Sequence, residues 1–255
     1  MTHRVLASTT SHKREPLIAT LEVFARLGLT DLDLNLHHFI KGDLTVDAAA
    51  AARYGQRVWV TSGGWCDFFH DPPLIDETFA SVRRQVDLTR GLGVRMLRLF
   101  FGHLPRASYG PATERTIADR FRRLSDCDPD ITFVFENHDT TCLVPEVCRD
   151  IIARADRPNI RMNFDPINFA HAGVDPAAAL ALLLPGVAHV HLKGLDRGEY
   201  CEFGTGDIDL TPILRELVRH GYNGDFTVEY EGPFDGTLRL YESVVRARTC
   251  IASIA

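Results

Sequence analysis

Residues 132–136 read Thr-Phe-Val-Phe-Glu and residues 160–165 read Ile-Arg-Met-Asn-Phe-Asp, with a helix-patterned segment, Val144 to Arg154, between them. Short runs of β-branched and aromatic residues joined by an amphipathic segment mark a parallel strand, a crossover helix and a second parallel strand. The same step repeats outward in both directions. Strand-like runs occur at Arg4–Ser8, Asp31–Leu36, Arg57–Thr61, Met96–Phe101, Thr132–Glu136, Ile160–Asp165, His189–Lys193 and Phe226–Glu231. Helical patterns fall at Pro16–Leu27, Asp76–Leu92, Thr113–Ser125, Val144–Arg154, Pro176–Leu184, Thr211–His220 and Leu238–Ala252, with the faintest at Val46–Tyr54. Gly28, Gly55, Gly93 and Gly221 stand where a left-handed helix stop is wanted, and Asp175-Pro176 and Thr211-Pro212 look like helix starts.

Eight such steps predict an α/β fold, a closed (β/α)8 TIM barrel, with residues 1–255 forming one domain. A doubly wound open sheet is the competing architecture. It is disfavoured because no G-x-G-x-x-G turn follows the first strand and because polar strand ends are spread over many strands.

The 255 residues carry 28 Lys+Arg against 34 Asp+Glu, a formal charge of −6, so no general field attracts phosphate backbones or anionic lipid. Six cysteines are scattered with no C-x-x-C pair, which reads as reduced thiols, and the amino-terminal residues enter a strand directly. These features predict a cytoplasmic protein with no nucleic-acid and no membrane partner. They are compatible with a homo-oligomer.

In a parallel barrel the functional site gathers at the carboxyl ends of the strands. Four consecutive strands close on acidic or imidazole groups: Glu136, Asp165, His191 and Glu229. Three carboxylates and one imidazole form a hard, oxygen-rich donor set suited to Mn²⁺, Mg²⁺, Co²⁺ or Zn²⁺ with positions left for a substrate. His189 and Glu231 share strand faces with His191 and Glu229 by the period of two, so the strand-eight ligand stays open between Glu229 and Glu231.

At these residues the chain resembles the xylose isomerase-like barrel superfamily of sugar isomerases and epimerases, which also includes endonuclease IV. The likeness rests on Glu136, the D-x-x-N element Asp165 to Asn168, the H-x-H-L-K run His189 to Lys193, the Gly204-to-Asp209 loop, and Gly221-Tyr222-Asn223-Gly224 leading into Glu229. By resemblance, Glu136, Asp165, His191 and Glu229 are the metal ligands, and Glu136 and Glu229 the acid/base pair. Arg197 falls where ketose 3-epimerase relatives carry a substrate-binding arginine. Asn168, His189, Lys193 and His103 complete the candidate substrate contacts.

The resemblance implies a divalent-metal-dependent isomerase or epimerase of a small sugar or keto-polyol, working by proton transfer next to a carbonyl through an enediolate. Loss of water from the same enolate, as in inosose and dehydroshikimate dehydratases of the superfamily, is the alternative. An endonuclease IV-like role fits less well, because strand three ends without a histidine and the loop after strand seven reads Asp207-Ile208-Asp209 in place of an Asp-x-His pair. A metal-free binding barrel is the remaining reading. Trp65, Phe68, Phe69, Phe100, Phe101, Tyr200 and Phe203 could wall a pocket, with Gly63-Gly64-Trp65 and Arg197 to Gly206 as lid candidates. His37 and His38 could reach it from the opposite wall.

Overall fold

Eight parallel strands pair edge to edge until the last returns to the first, as the strand–helix repeat requires. The computed structural model describes residues 3–40, 50–233 and 235–254. The barrel strands are β1 (Val5–Ser8), β2 (Asp31–Asn35), β3 (Arg57–Trp65), β4 (Met96–Phe100), β5 (Thr132–Glu136), β6 (Ile160–Phe164), β7 (Val187–Leu192) and β10 (Phe226–Val228). Their order around the barrel is β1-β10-β7-β6-β5-β4-β3-β2, closed. A small antiparallel hairpin, β8 (Gly194–Asp196) with β9 (Glu199–Cys201), follows β7.

The predicted helices form within a few residues of their expected limits, at Leu17–Arg26, Leu74–Gly91, Pro111–Cys127, Pro145–Ala155, Pro176–Leu183, Thr211–Arg219 and Gly236–Ile254. Of the faint pattern at Val46–Tyr54, residues up to 49 lie outside the described residues, and Ala50–Arg53 is helical. Gly28, Gly55, Gly93 and Gly221 all have φ between 69° and 83°, the left-handed conformation that lets a helix turn into the next strand. Asp175 caps its helix through Ala177 N–H. At the other expected start the cap position is Leu210 and Thr211 is the first helical residue, its N–H donating to Asp209 Oδ1 at 2.9 Å.

Strand alternation sorts the core into two regions. Phe133 and Phe135 of β5 face the helices, where Phe135 stacks on Phe121 at a centroid distance of 3.9 Å. Val134 and Glu136 point the other way, into the barrel. Phe164, Met162, Val190, Leu192, Leu97 and Leu99 join the outer apolar layer, all fully buried. Each such side chain contributes about 1.5–3 kcal/mol of burial. The inner layer is polar: Asp33, Ser62, Arg98, Glu136, Asn163, His189, His191 and Thr227 are all buried. A barrel interior built from charged groups has to satisfy them from within, and that requirement organises the site.

β3 runs four residues past its expected end, through Gly63, Gly64 and Trp65. The expectation of a glycine hinge there is overturned by packing. A Cβ on Gly63 would lie 2.1 Å from Gln85 Oε1 and 2.9 Å from Leu99 Cδ2, and Gly64 N–H donates to Gln85 Oε1 at 2.7 Å. The glycines let a neighbouring helix approach the strand and are not free to swing. The other lid candidate is pinned as well. Asp207 N–H donates to Leu195 O at 2.7 Å, and a Cβ on Gly206 would meet the same oxygen at 2.0 Å.

Candidate metal centre

The four strand-end residues converge. One donor atom each from Glu136, Asp165, His191 and Glu229 lies within 4.8 Å of the others, with all four side chains buried. Donors that share an ion at bond lengths of about 2.0–2.6 Å sit at such separations. Asp165 is oriented by its own helix: Oδ1 accepts from Ile167 N–H at 2.8 Å and Asn168 N–H at 3.1 Å as the cap of Pro166–His171, which leaves Oδ2 for the centre. Glu136 is held by Asn168, whose Nδ2 donates to Oε1 at 3.1 Å. Glu229 is held from β1 and the turn after it, with Thr10 Oγ1 donating to Oε1 at 3.0 Å.

Each glutamate is therefore fixed by one oxygen and presents the other inward. Glu136 Oε2 and Glu229 Oε2 each stand 3.4 Å from His191 Nδ1. Arg98 of β4 reaches Glu136 Oε2 at 3.2 Å, and Lys193 Nζ reaches Asp165 Oδ2 at 3.2 Å and Glu231 Oε2 at 2.6 Å.

These residues fit a divalent cation on two counts. Glu136 Oε2, Asp165 Oδ2 and His191 Nδ1 are buried with ion-pair contacts at 3.2–3.4 Å but no well-aligned hydrogen bond, and a cation would satisfy all three at once. Charge leads to the same answer. Four buried carboxylates, Asp33, Glu136, Asp165 and Glu229, face two buried cations, Arg98 and Lys193. Among these buried groups the residual is two negative charges, with the partly exposed Glu231 also pairing with Lys193, so the excess is negative and a divalent cation would offset it.

Without the ion, protons fill the deficit. Burial opposes the charged imidazole of His191, but Glu229, Glu136 and the hydrogen bond to Asp33 raise its pKa well above the ordinary value. Burial pushes Asp165 up to about 6, with Lys193 working in the opposite direction. Burial also opposes the charged form of Glu229, yet His191 and Lys193 hold its carboxyl well below the usual range. A cation at this centre must displace the His191 proton, so divalent-ion affinity is expected to rise with pH, with proton release on binding. Mn²⁺ titration calorimetry between about pH 6 and about pH 8, in buffers of different ionisation enthalpy, measures this. A pH-independent affinity with no proton release would count against His191 as a ligand.

The remaining candidates divide. Asn168 sits between Glu136 and Tyr200, whose hydroxyl donates to Asn168 Oδ1 at 3.2 Å. His189 lies deeper in β7; its Nε2 is 2.8 Å from Thr227 Oγ1, and burial followed by the nearby His191 lowers its pKa well below the ordinary value. Lys193 is fully enclosed beneath Tyr200, its Nζ 4.6 Å from the ring centroid. Two candidates are not brought to the centre. Arg197 occupies the left-handed turn of the hairpin, φ 48°, with its side chain 87% exposed beside Asp196. His103 is half-exposed and tied to Asp67, with its ring on Trp65 at 3.7 Å.

A cleft of about 300 Å³ opens beside Glu136 and Glu229, bordered by Trp65, Phe100, His138 and Lys13. His37 also lines it, whereas His38 is buried with Nδ1 3.1 Å from Glu15 O. Of the aromatic residues singled out in the sequence, Phe68, Phe101 and Phe203 belong to the core.

The reading from sequence missed two buried charges, Asp33 and Arg98. Their signal is the period of two: Asp33 in Asp-Leu-Asp-Leu-Asn and Arg98 in Met-Leu-Arg-Leu-Phe alternate with leucines that face the helices, which puts both charges on the inward face.

Barrel and strand-end constellation together define a TIM barrel with a carboxylate–imidazole centre at the carboxyl ends of its strands. The chain belongs to the xylose isomerase-like TIM barrel family, whose sequence profile matches residues 22–244. A 3-dehydroshikimate dehydratase from Bacillus anthracis is 20% identical over 129 residues, covering 49% of this chain and 46% of that protein, so the match spans about half of either. Among solved structures, an L-ribulose 3-epimerase superposes with a TM-score of 0.80 at 16% identity, covering 100% of this chain and 96% of the other. A xylose isomerase-like barrel protein from Mycobacterium smegmatis, in complex with magnesium, superposes with a TM-score of 0.79 at 19% identity, covering 99% and 98%. At these identities the superpositions establish the shared fold.

Proposed function

We propose that the protein is a divalent-metal-dependent isomerase or epimerase of a small sugar or keto-polyol, acting by proton transfer next to a carbonyl. The observation that carries this reading is the pair Glu136 and Glu229. Both border the cleft, both belong to the donor cluster, and each is anchored through Oε1 by a neutral donor on its own side of the barrel. A divalent ion, when bound, polarises the substrate carbonyl and stabilises the enediolate that forms beside it. Glu136 and Glu229 then provide one carboxylate to take the proton from the adjacent carbon and one to return it. Return to the opposite face of that carbon inverts it; return to the neighbouring carbon moves the carbonyl. Asn168 and Thr10 keep the two carboxylates pointed inward throughout.

A second reading is dehydration, with the aromatic border of Trp65, Phe100 and His138 lining the cleft in which the substrate would lose water. There the same proton is removed, and the β-hydroxyl leaves with a proton as water. The dehydratase relative lends this reading weight.

Incubation with ketoses and cyclic keto-polyols in D₂O separates the two. Solvent deuterium in a product isomeric with the substrate supports isomerisation, and an absorbing enone or aromatic product supports dehydration. Failure to bind Mn²⁺, Mg²⁺, Co²⁺ or Zn²⁺ would overturn both.

A further inference from the structure

A fourth carboxylate addresses the centre from behind. Asp33 of β2 is fully buried, and its Oδ2 lies 3.3 Å from His191 Nε2, on the side of the imidazole away from Glu136 and Glu229, which approach Nδ1. β2 and β7 are not neighbours; β1 and β10 stand between them, so this contact crosses the barrel interior. Asp33 is itself fixed. Ser62 Oγ donates to Oδ1 at 2.7 Å, and Arg98, which also contacts Glu136, donates from Nε to Ser62 Oγ at 3.3 Å. Asp33 does not line the cleft. A substrate in the cleft therefore meets other groups first, and Asp33 addresses the centre directly through His191 and indirectly through Ser62 and Arg98.

We infer that Asp33 is a positioning residue that accepts the Nε2–H of His191, fixing the tautomer and ring orientation that turn Nδ1 toward the metal. The inference rests on the metal-dependent reading above. An imidazole has two nitrogens, and a ligating histidine needs one lone pair free and the other nitrogen protonated; a carboxylate on the far side selects that form and makes the ring a better donor. His189, on the same strand face, is not among the residues whose donor atoms converge with Glu136, Asp165 and Glu229, and its Nε2 is 2.8 Å from Thr227 Oγ1. Ser62 and Arg98 give the Asp33 carboxylate a fixed direction, so the chain Arg98–Ser62–Asp33–His191 ties the metal-facing imidazole to the same guanidinium that contacts Glu136.

The test compares Asp33→Asn, Asp33→Ala and Ser62→Ala with the wild type by Mn²⁺ affinity, by the d–d absorption of the Co²⁺-loaded protein, and by metal-free melting. Asp33→Asn is expected to weaken Mn²⁺ binding about 10- to 100-fold. Asparagine keeps an acceptor oxygen, so Asp33→Ala should be weaker still and should also change the Co²⁺ spectrum. Ser62→Ala leaves Asp33 in place and should show a smaller loss in the same direction. If Asp33→Ala does not fold, the Asn and Ser62 variants decide. Wild-type affinity and spectrum in Asp33→Asn and Ser62→Ala would overturn the inference while leaving the metal reading intact; no ion bound by the wild type would overturn the metal reading itself. Two ions per wild-type chain, falling to one in Asp33→Asn, would make Asp33 a ligand of a second site with His189 and His191 and would equally overturn the positioning role.

Discussion

Glu136→Gln and Glu229→Gln are each expected to lower kcat/KM by about 10²- to 10⁴-fold at saturating metal. Glutamine preserves volume and keeps an acceptor for Asn168 or Thr10, so the barrel loses only a base and a negative donor. Overall rate alone cannot separate those two losses, because both residues belong to the cation cluster. The fate of the substrate proton can. If the two carboxylates flank one carbon, each variant keeps one working base, and each should exchange the C–H of one epimer with solvent deuterium while leaving the other epimer untouched. Complementary exchange in the two variants, followed by NMR with metal content measured in parallel, is the expected pattern. Both variants turning over at the wild-type rate would remove Glu136 and Glu229 from the chemistry. Loss of exchange from both epimers in one variant only would assign all proton transfer to a single residue, the pattern expected of aldose–ketose isomerisation.

The centre was legible in the sequence because a parallel barrel turns chain position into spatial position. Strand five, strand six, strand seven and strand eight close on Glu136, Asp165, His191 and Glu229, and closure of the barrel brings their donor atoms within 4.8 Å of one another. What supports those residues was less legible, for three physical reasons. Asp33 acts across the barrel, between strands that are not neighbours, and no local periodicity reports such a contact. The resemblance to ketose 3-epimerases makes Arg197 a substrate contact, but a hairpin follows strand seven here, and its left-handed turn sends the side chain into solvent. Gly63 and Gly64 looked like hinges because glycine permits motion, whereas here the same lack of a side chain permits close packing against Gln85. Lys193 was read as a substrate contact from its place in the H-x-H-L-K run, and its complete burial among carboxylates gives it a second role.

Lys193→Met is expected to destabilise the metal-free protein by about 3–5 kcal/mol, the usual cost of removing one partner from a buried ion pair. For a chain of this size that corresponds to a melting point lower by about 6–20 °C. Methionine fills similar space, so the loss comes from charge: the Lys193 ammonium is the group nearest Asp165 Oδ2, and it also holds Glu231 Oε2. Burial disfavours that ammonium, but Asp165, Glu231 and Glu229 raise its pKa well above the ordinary lysine value. A raised pKa contributes stability that is fully present below the unfolded-state value and is lost only as pH rises through the folded-state value, so the contribution is complete at neutral pH. Removing Lys193 also removes the main influence lowering the Asp165 pKa, which already stands at about 6 with Lys193 present. The difference between wild type and variant should therefore narrow in acid, where Asp165 takes up a proton instead. Added metal should narrow it too. Without the ammonium the buried site carries three uncompensated negative charges instead of two, so a divalent cation is bound more tightly and shifts the folding equilibrium further by mass action. The rise in melting temperature on saturation with Mn²⁺ should thus be larger for Lys193→Met than for the wild type. An unchanged metal-free melting point would show that Lys193 does not balance these carboxylates; a smaller Mn²⁺-induced rise would show that the ammonium and the cation do not compete for the same negative charge.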